Sequence, residues 1–290
     1  DSLENESNHS NYASETLDSE PQSALAQSES PISKDKLEPT SFLRFENATL
    51  PTGRAVRITS PYGIRSYRMH KGIDVKVYKG DSILAAFSGR VVKAAYERRG
   101  YGHYIVLEHD NGTRTVYAHL SKFNKKITDF VKEKQYEEKS FSQNILLDKN
   151  KFPIKRGDFL GFTGNSGSSG GPHLHYEIRY SDTQEPVNPL FFGLKVKDTR
   201  KPFIKSFAIY PIENSYVNGS DTAVYLDVIN ENNVFFLENP MFEVNGNVSF
   251  GINVYDQADA ANNKNGAFSI ELFADDCLIF NILSDKYSYS

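Results

Sequence analysis

The stretch that decides the reading is Gly171-Pro172-His173-Leu174-His175-Tyr176-Glu177. Its imidazoles stand two residues apart, so a strand's period of two turns both to one face. Leu174, Tyr176 and Ile178 then turn to a core. A second string, His70-Lys71-Gly72-Ile73-Asp74, has the same parity, which lets an imidazole and a carboxylate converge with Ile73, Val75 and Val77 buried behind them. Two imidazoles and a carboxylate, with a fourth position open, suit a catalytic zinc site. Chance supplies about 0.2 His-x-His pairs at this histidine content, so the strings around the pair carry the weight.

Working outward, Pro61-Tyr62-Gly63-Ile64-Arg65 precedes His70, and Val116-Tyr117-Ala118-His119-Leu120-Ser121 and Gly164-Asn165-Ser166-Gly167 follow Asp74. In this order the strings resemble the LytM and lysostaphin-like zinc endopeptidases of bacterial peptidoglycan, over about residues 55 to 195. The resemblance implies an antiparallel β-sheet peptidase domain that hydrolyses peptide cross-links of peptidoglycan. It implies Zn2+ held by His70, Asp74 and His175, with His119 and His173 as the catalytic pair. Every motif position keeps its zinc-binding or catalytic side chain, unlike a degenerate regulatory member. No His-Glu-x-x-His helix is present, so His119 and His173 are left to relay protons and stabilise the oxyanion, with their division open. Such an enzyme would work in the periplasm, attached to the cell envelope, or secreted. In a diderm source a D-alanyl-diaminopimelate bond fits better than a glycine bridge. Pro186-Val187-Asn188-Pro189-Leu190-Phe191-Phe192-Gly193, followed by β-rich sequence, resembles the longer Bacteroidota-type relatives.

The fold class is mainly β. Residues 1–42 are rich in Ser, Glu, Asn and Gln and read as a disordered acidic tether, with order beginning near Phe42. Residues 43–197 read as the peptidase domain, in which Ile105-Val106-Leu107 and Thr115-Val116-Tyr117 flank an Asn111-Gly112 hairpin turn. Compact relatives have a short connection where this chain carries an insertion, residues 122–153. It holds a short helix (Ile127, Phe130, Val131) and an apolar run, Ile145-Leu146-Leu147. So small an apolar face must dock on a neighbour, and two places stay open: the cleft rim, where the insertion would narrow the groove, or a peripheral site remote from substrate. Residues 198–290 read as an all-β, sandwich-like domain that stops amid strand-like sequence at Ser290, as a truncated domain would. The chain begins at Asp1 without a methionine, consistent with a removed leader.

Composition excludes several classes. With 39% hydrophobic and 24% charged residues among 290, the chain is globular rather than wholly disordered or fibrous. No apolar run approaches the roughly 18 to 20 residues of a membrane-spanning helix. One cysteine, Cys277, excludes an intramolecular disulfide framework and a multi-cysteine metal site, and its apolar run predicts a core position. Charge is partitioned: −7 over residues 1–53, +13 over 54–205 and −10 over 206–290. A basic module suits an anionic wall polymer, and no nucleic-acid motif accompanies the charge. Two other functions remain open on sequence, a non-catalytic LytM-type activator of a cell-wall amidase and a basic polyanion-binding module. His103 and His109 read as structural, and His9 belongs to the tether. The Gly164 to Gly171 loop lacks a P-loop ending and reads as a turn that brings backbone to substrate. Asp256, Asp259, Asn262, Asn263 and Asn265 lack EF-hand spacing and read as a polar hairpin loop. Oligomeric state is not readable.

Overall fold

The structure, a computed structural model, describes residues 51–53, 57–65, 68–148, 151–194, 196, 198–259 and 263–286. The expected tether, His9 and Phe42 lie outside these residues. The first strands are β1 (Ile58–Ser60), β2 (Gly63–Arg65), β3 (Arg68–His70), β4 (Ile73–Lys76), β5 (Ser82–Leu84), β6 (Gly89–Tyr96), β7 (His103–Glu108), β8 (Thr113–Ala118) and β9 (Leu120–Phe123). Helix α1 (Lys125–Glu137) follows, then β10 (Gln143–Leu146), β11 (Pro153–Ile154), β12 (Phe159–Thr163), β13 (His173–Tyr180) and β14 (Pro186–Val187). A nine-stranded sheet runs β1-β4-β13-β8-β7-β6-β10, with β11 also on β6 and β14 also on β13. Strands β5-β12-β9 form a separate three-stranded sheet.

Strand parity makes the core. Leu174, Tyr176, Ile178 and Ile73 are fully buried and Val75 and Val77 nearly so. They share one apolar cluster with Ile105, Leu107 and Tyr117 of the large sheet and Ile83, Leu120 and Leu160 of the small one. Each such side chain contributes roughly 1.5–3 kcal/mol of burial. The β7–β8 hairpin forms with Ile105 opposite Tyr117. Its turn is longer than two residues: His109 N–H donates to the Thr113 carbonyl, and of the Asn-Gly pair only Gly112 is left-handed (φ 77°).

The insertion folds as a helix plus an edge strand. Asn124 caps α1, its Oδ1 accepting from the Ile127 N–H at 3.0 Å. Ile127 and Val131 enter the main core, while Phe130 is half-buried against Phe152, ring centroids 5.6 Å apart. Strand β10 pairs with β6 at the sheet edge opposite β1. The helix docks on the core through Ile127 and Val131, and β10 covers backbone groups that the edge of β6 would otherwise expose.

Further β-sheets follow: β15 (Phe203–Val217), β16 (Val224–Leu226), β17 (Val228–Glu231), β18 (Val234–Leu237), β19 (Val244–Tyr255), β20 (Ser269–Ala274) and β21 (Cys277–Leu283). Strands β16-β15-β19 make one sheet, and β17-β18 and β20-β21 make hairpins. Cys277 is exposed, contrary to its expected core position. It sits beside the turn of a two-stranded hairpin, where Ile279 and Phe280 are also exposed and, among the described residues, no second layer covers the strand. Asp256 and Asn265 pair backbone to backbone at the base of the expected polar loop, while Asn262 lies outside the described residues. Among the described residues, no helix is long and apolar enough to cross a membrane.

Candidate metal centre

Register brings the donors together. On β13, His175 lies opposite Asp74 of β4 on one side and Ala118 of β8 on the other. The β2–β3 hairpin, in which His70 pairs with Gly63, delivers the third group. Asp74 Oδ1 lies 3.0 Å from His70 Nε2 and 2.9 Å from His175 Nδ1, and the two nitrogens are 3.1 Å apart. A tetrahedral zinc with bonds of about 2.0–2.1 Å needs donors about 3.3 Å apart, so this triangle needs only slight expansion to hold the ion. The outer nitrogens fit the same role. His70 Nδ1 donates to the Pro61 carbonyl at 2.7 Å and His175 Nε2 to Glu177 Oε1 at 2.8 Å. Each bond fixes the tautomer that leaves a lone pair on the inward nitrogen. His70, Asp74 and His175 could thus hold a metal ion.

Behind His175 lies a set of polar side chains that the sequence reasoning did not single out. Glu177 is fully buried, and besides His175 it accepts from Tyr101 Oη at 2.6 Å and from Arg179 Nε at 2.6 Å. Arg179 Nη2 also donates to Tyr101 Oη, at 2.9 Å. Parity offered a signal for Glu177 and Arg179, which follow His175 at steps of two. Nothing local pointed to Tyr101.

The electrostatics follow from these contacts. Burial works to raise Asp74, but hydrogen bonds from His175 and His70 outweigh it and hold the carboxyl well below the usual range. For His175 burial works downward, and its bonds to Asp74 and Glu177 push it up to about 9. Glu177 is raised by burial yet held down to about 2 by His175, Arg179 and Tyr101.

His119 and His173 stand beside the triangle, with ring centroids 4.6 Å apart. His119 is the joint between β8 and β9, where the chain leaves one sheet for the other, and it takes a left-handed φ of 61°. That conformation costs a non-glycine residue roughly 1–2 kcal/mol. Its N–H donates to the Tyr101 carbonyl and its Nδ1 to the Ser166 carbonyl, which together anchor it. Burial drives its pKa down to about 4 against the pull of Ser166. His173 Nδ1 lies 2.9 Å from the Gly171 carbonyl, and Nε2 lies 3.6 Å from Asp74. The Gly164 to Gly171 loop packs backbone on backbone: a Cβ on Gly167 would lie 2.4 Å from the Gly102 nitrogen. His103 and His109 stand apart from the triangle. His103 packs on Tyr96, and His109 bonds the Ser88 carbonyl and Thr115.

Two histidines and an aspartate converging on one point of a β-sheet domain make a candidate metal centre. Residues 68–136, which include His70, Asp74 and His119, match peptidase family M23. The DD-carboxypeptidase/endopeptidase Mpg of Neisseria meningitidis serogroup B is 33% identical over 158 residues, covering 52% of this chain and 30% of that protein. The murein hydrolase activator NlpD of Escherichia coli is 34% identical over 121 residues, covering 42% of this chain and 25% of that protein. The catalytic domain of lysostaphin from Staphylococcus simulans is 26% identical, with a TM-score of 0.34, covering 47% of this chain and 88% of that domain. The chain thus spans less than a third of the length of these two full-length relatives. None of these matches supports the Bacteroidota-type likeness.

Proposed function

We propose that the chain is a zinc metalloendopeptidase that cleaves peptide cross-links of peptidoglycan in the cell envelope. The observation that carries this is the donor triangle of His70, Asp74 and His175, with its outward nitrogens fixed by Pro61 and Glu177. Zinc bound there would polarise the scissile carbonyl and acidify a water toward pKa of about 7. His119, neutral near pH 7 and donating through Nδ1, presents its Nε2 lone pair to orient or deprotonate that water. His173, held through Nδ1, presents Nε2 for the developing oxyanion or the leaving amine. The strained backbone at His119 costs nothing further when substrate binds, since its two hydrogen bonds already hold it. The same reading divides the chain into a peptidase domain, 43–197, and a β-rich companion, 198–290.

The likeness to a murein hydrolase activator favours a second reading, a non-catalytic module that activates an amidase. The complete donor set speaks against it. Purified chain should hold close to one zinc and release soluble fragments from sacculi, with release abolished by chelation. His175→Ala and Asp74→Ala should lose zinc and activity together, while His119→Ala should keep zinc and slow by roughly 10² to 10⁴. Zinc-replete native chain that leaves sacculi intact but speeds an added amidase would establish the activator instead.

A further inference from the structure

The large sheet carries a groove of about 590 Å³ on the same face as the metal centre. Cross-strand register arranges that face in two rows. One row runs Glu177, Val116, Val106, Lys93, Leu146, each residue opposite the next across β13, β8, β7, β6 and β10. The other runs Arg179, Arg114, Glu108, Arg90. A register shift in β6 between Val91 and Lys93 lets both Val92 and Lys93 line the groove. Tyr101 joins the groove to the centre: it lines the near end, and its ring lies 5.5 Å from that of His175. At the far end the insertion supplies Leu146, which is 79% exposed.

Val116, Val106 and Leu146 of the first row give an apolar floor, and the second row gives a basic rail. Glu108 binds both Arg114 and Arg90 and Glu177 binds Arg179, so three cations face two carboxylates and the rail keeps one net positive charge. Lys93 adds to it, its ammonium 5.1 Å above the Tyr104 ring. Burial lowers the Lys93 pKa although the nearby Glu97 carboxylate works the other way, so this cation is partly stripped of water. Four strand steps of about 4.8 Å make the groove about 19 Å long, which an extended peptide of about six residues spans.

We propose that this groove is a subsite for an acidic peptide, which lies across β8, β7 and β6 with a free carboxylate at Lys93 and the Arg90–Arg114 rail. The inference deepens the peptidase reading and rests on it for the identity of the peptide as part of the substrate. It gives the insertion a task, because Leu146 closes the far end opposite Lys93. Alternate side chains of an extended peptide face opposite ways, so one set meets the valines while the backbone and carboxylates meet the rail.

The test is calorimetric binding to the full zinc-loaded chain carrying His119→Ala, which slows turnover enough to read binding. The probes are a synthetic hexapeptide with free side-chain carboxylates and the same peptide with those carboxylates amidated. The acid form should bind about tenfold more tightly, as one charge-assisted contact allows. Lys93→Met, which keeps the apolar stem, and Leu146→Asp, at an exposed position, should each erase the preference without loss of zinc. Equal affinity for the two peptides, or a preference that both variants leave intact, overturns the subsite. If native chain cleaves nothing yet shows the same Lys93-dependent preference, the subsite stands and the peptidase reading falls.

Discussion

At the scale of single residues, Glu177 shows how the centre is set. Its carboxylate is fully buried and binds His175, Tyr101 and Arg179 at once, so it fixes the ring that must present Nδ1 inward. Glu177→Gln should lower zinc affinity by about 10- to 100-fold, the usual effect of losing an outer partner of a metal-binding histidine. Chelator competition measures this directly, and unchanged affinity would show that packing alone orients His175. One pair was legible because parity is local: His173 and His175 share a face whatever the rest of the chain does, whereas His70 and Asp74 lie on different strands, β3 and β4. Tyr101 was not legible, since it reaches Glu177 from 76 residues away by a contact no local pattern encodes. Nor was the left-handed turn at His119 readable, because positive φ is uncommon for any residue but glycine and here falls at the junction between two sheets.

At the scale of elements, the insertion is a piece of the core. Its helix was readable from the spacing of Ile127, Phe130 and Val131, but its docking place was not. Amphipathicity says that a face is buried, not against what. Ile127 and Val131 pack beneath the sheet, so Ile127→Ala should cost about 2–5 kcal/mol, the range for a large side chain removed from a close-packed core. Chemical denaturation would measure it. A cost under about 1 kcal/mol would mean that the helix is loosely attached and that its core contacts contribute little. The strands after residue 198 were equally readable from alternation, yet alternation does not say which strands pair. Cys277 illustrates the same gap: an apolar run predicts burial only where a second layer covers it.

For the whole molecule, pH links the buried histidines to stability. Burial lowers the pKa of His103 and His109 below 6.5, and that of His119 to about 4. Above pH 6.5 these imidazoles are neutral in both folded and unfolded chains and add no pH dependence. As the pH falls below 6.5 the unfolded chain takes protons that the folded chain refuses, so stability is lost progressively towards each folded pKa. His109 isolates the effect, because it lies away from the metal donors, between the Ser88 carbonyl and Thr115, and the charges of Asp110 and Glu108 only partly offset its burial. His109→Gln removes the titration while keeping a polar side chain. The variant should be less stable than the native chain at pH 7.5, since it fits those two partners less well, and the gap should narrow at pH 5. Unfolding by urea at the two pH values reads the gap, and a constant gap would mean that His109 keeps its ordinary pKa in the folded protein.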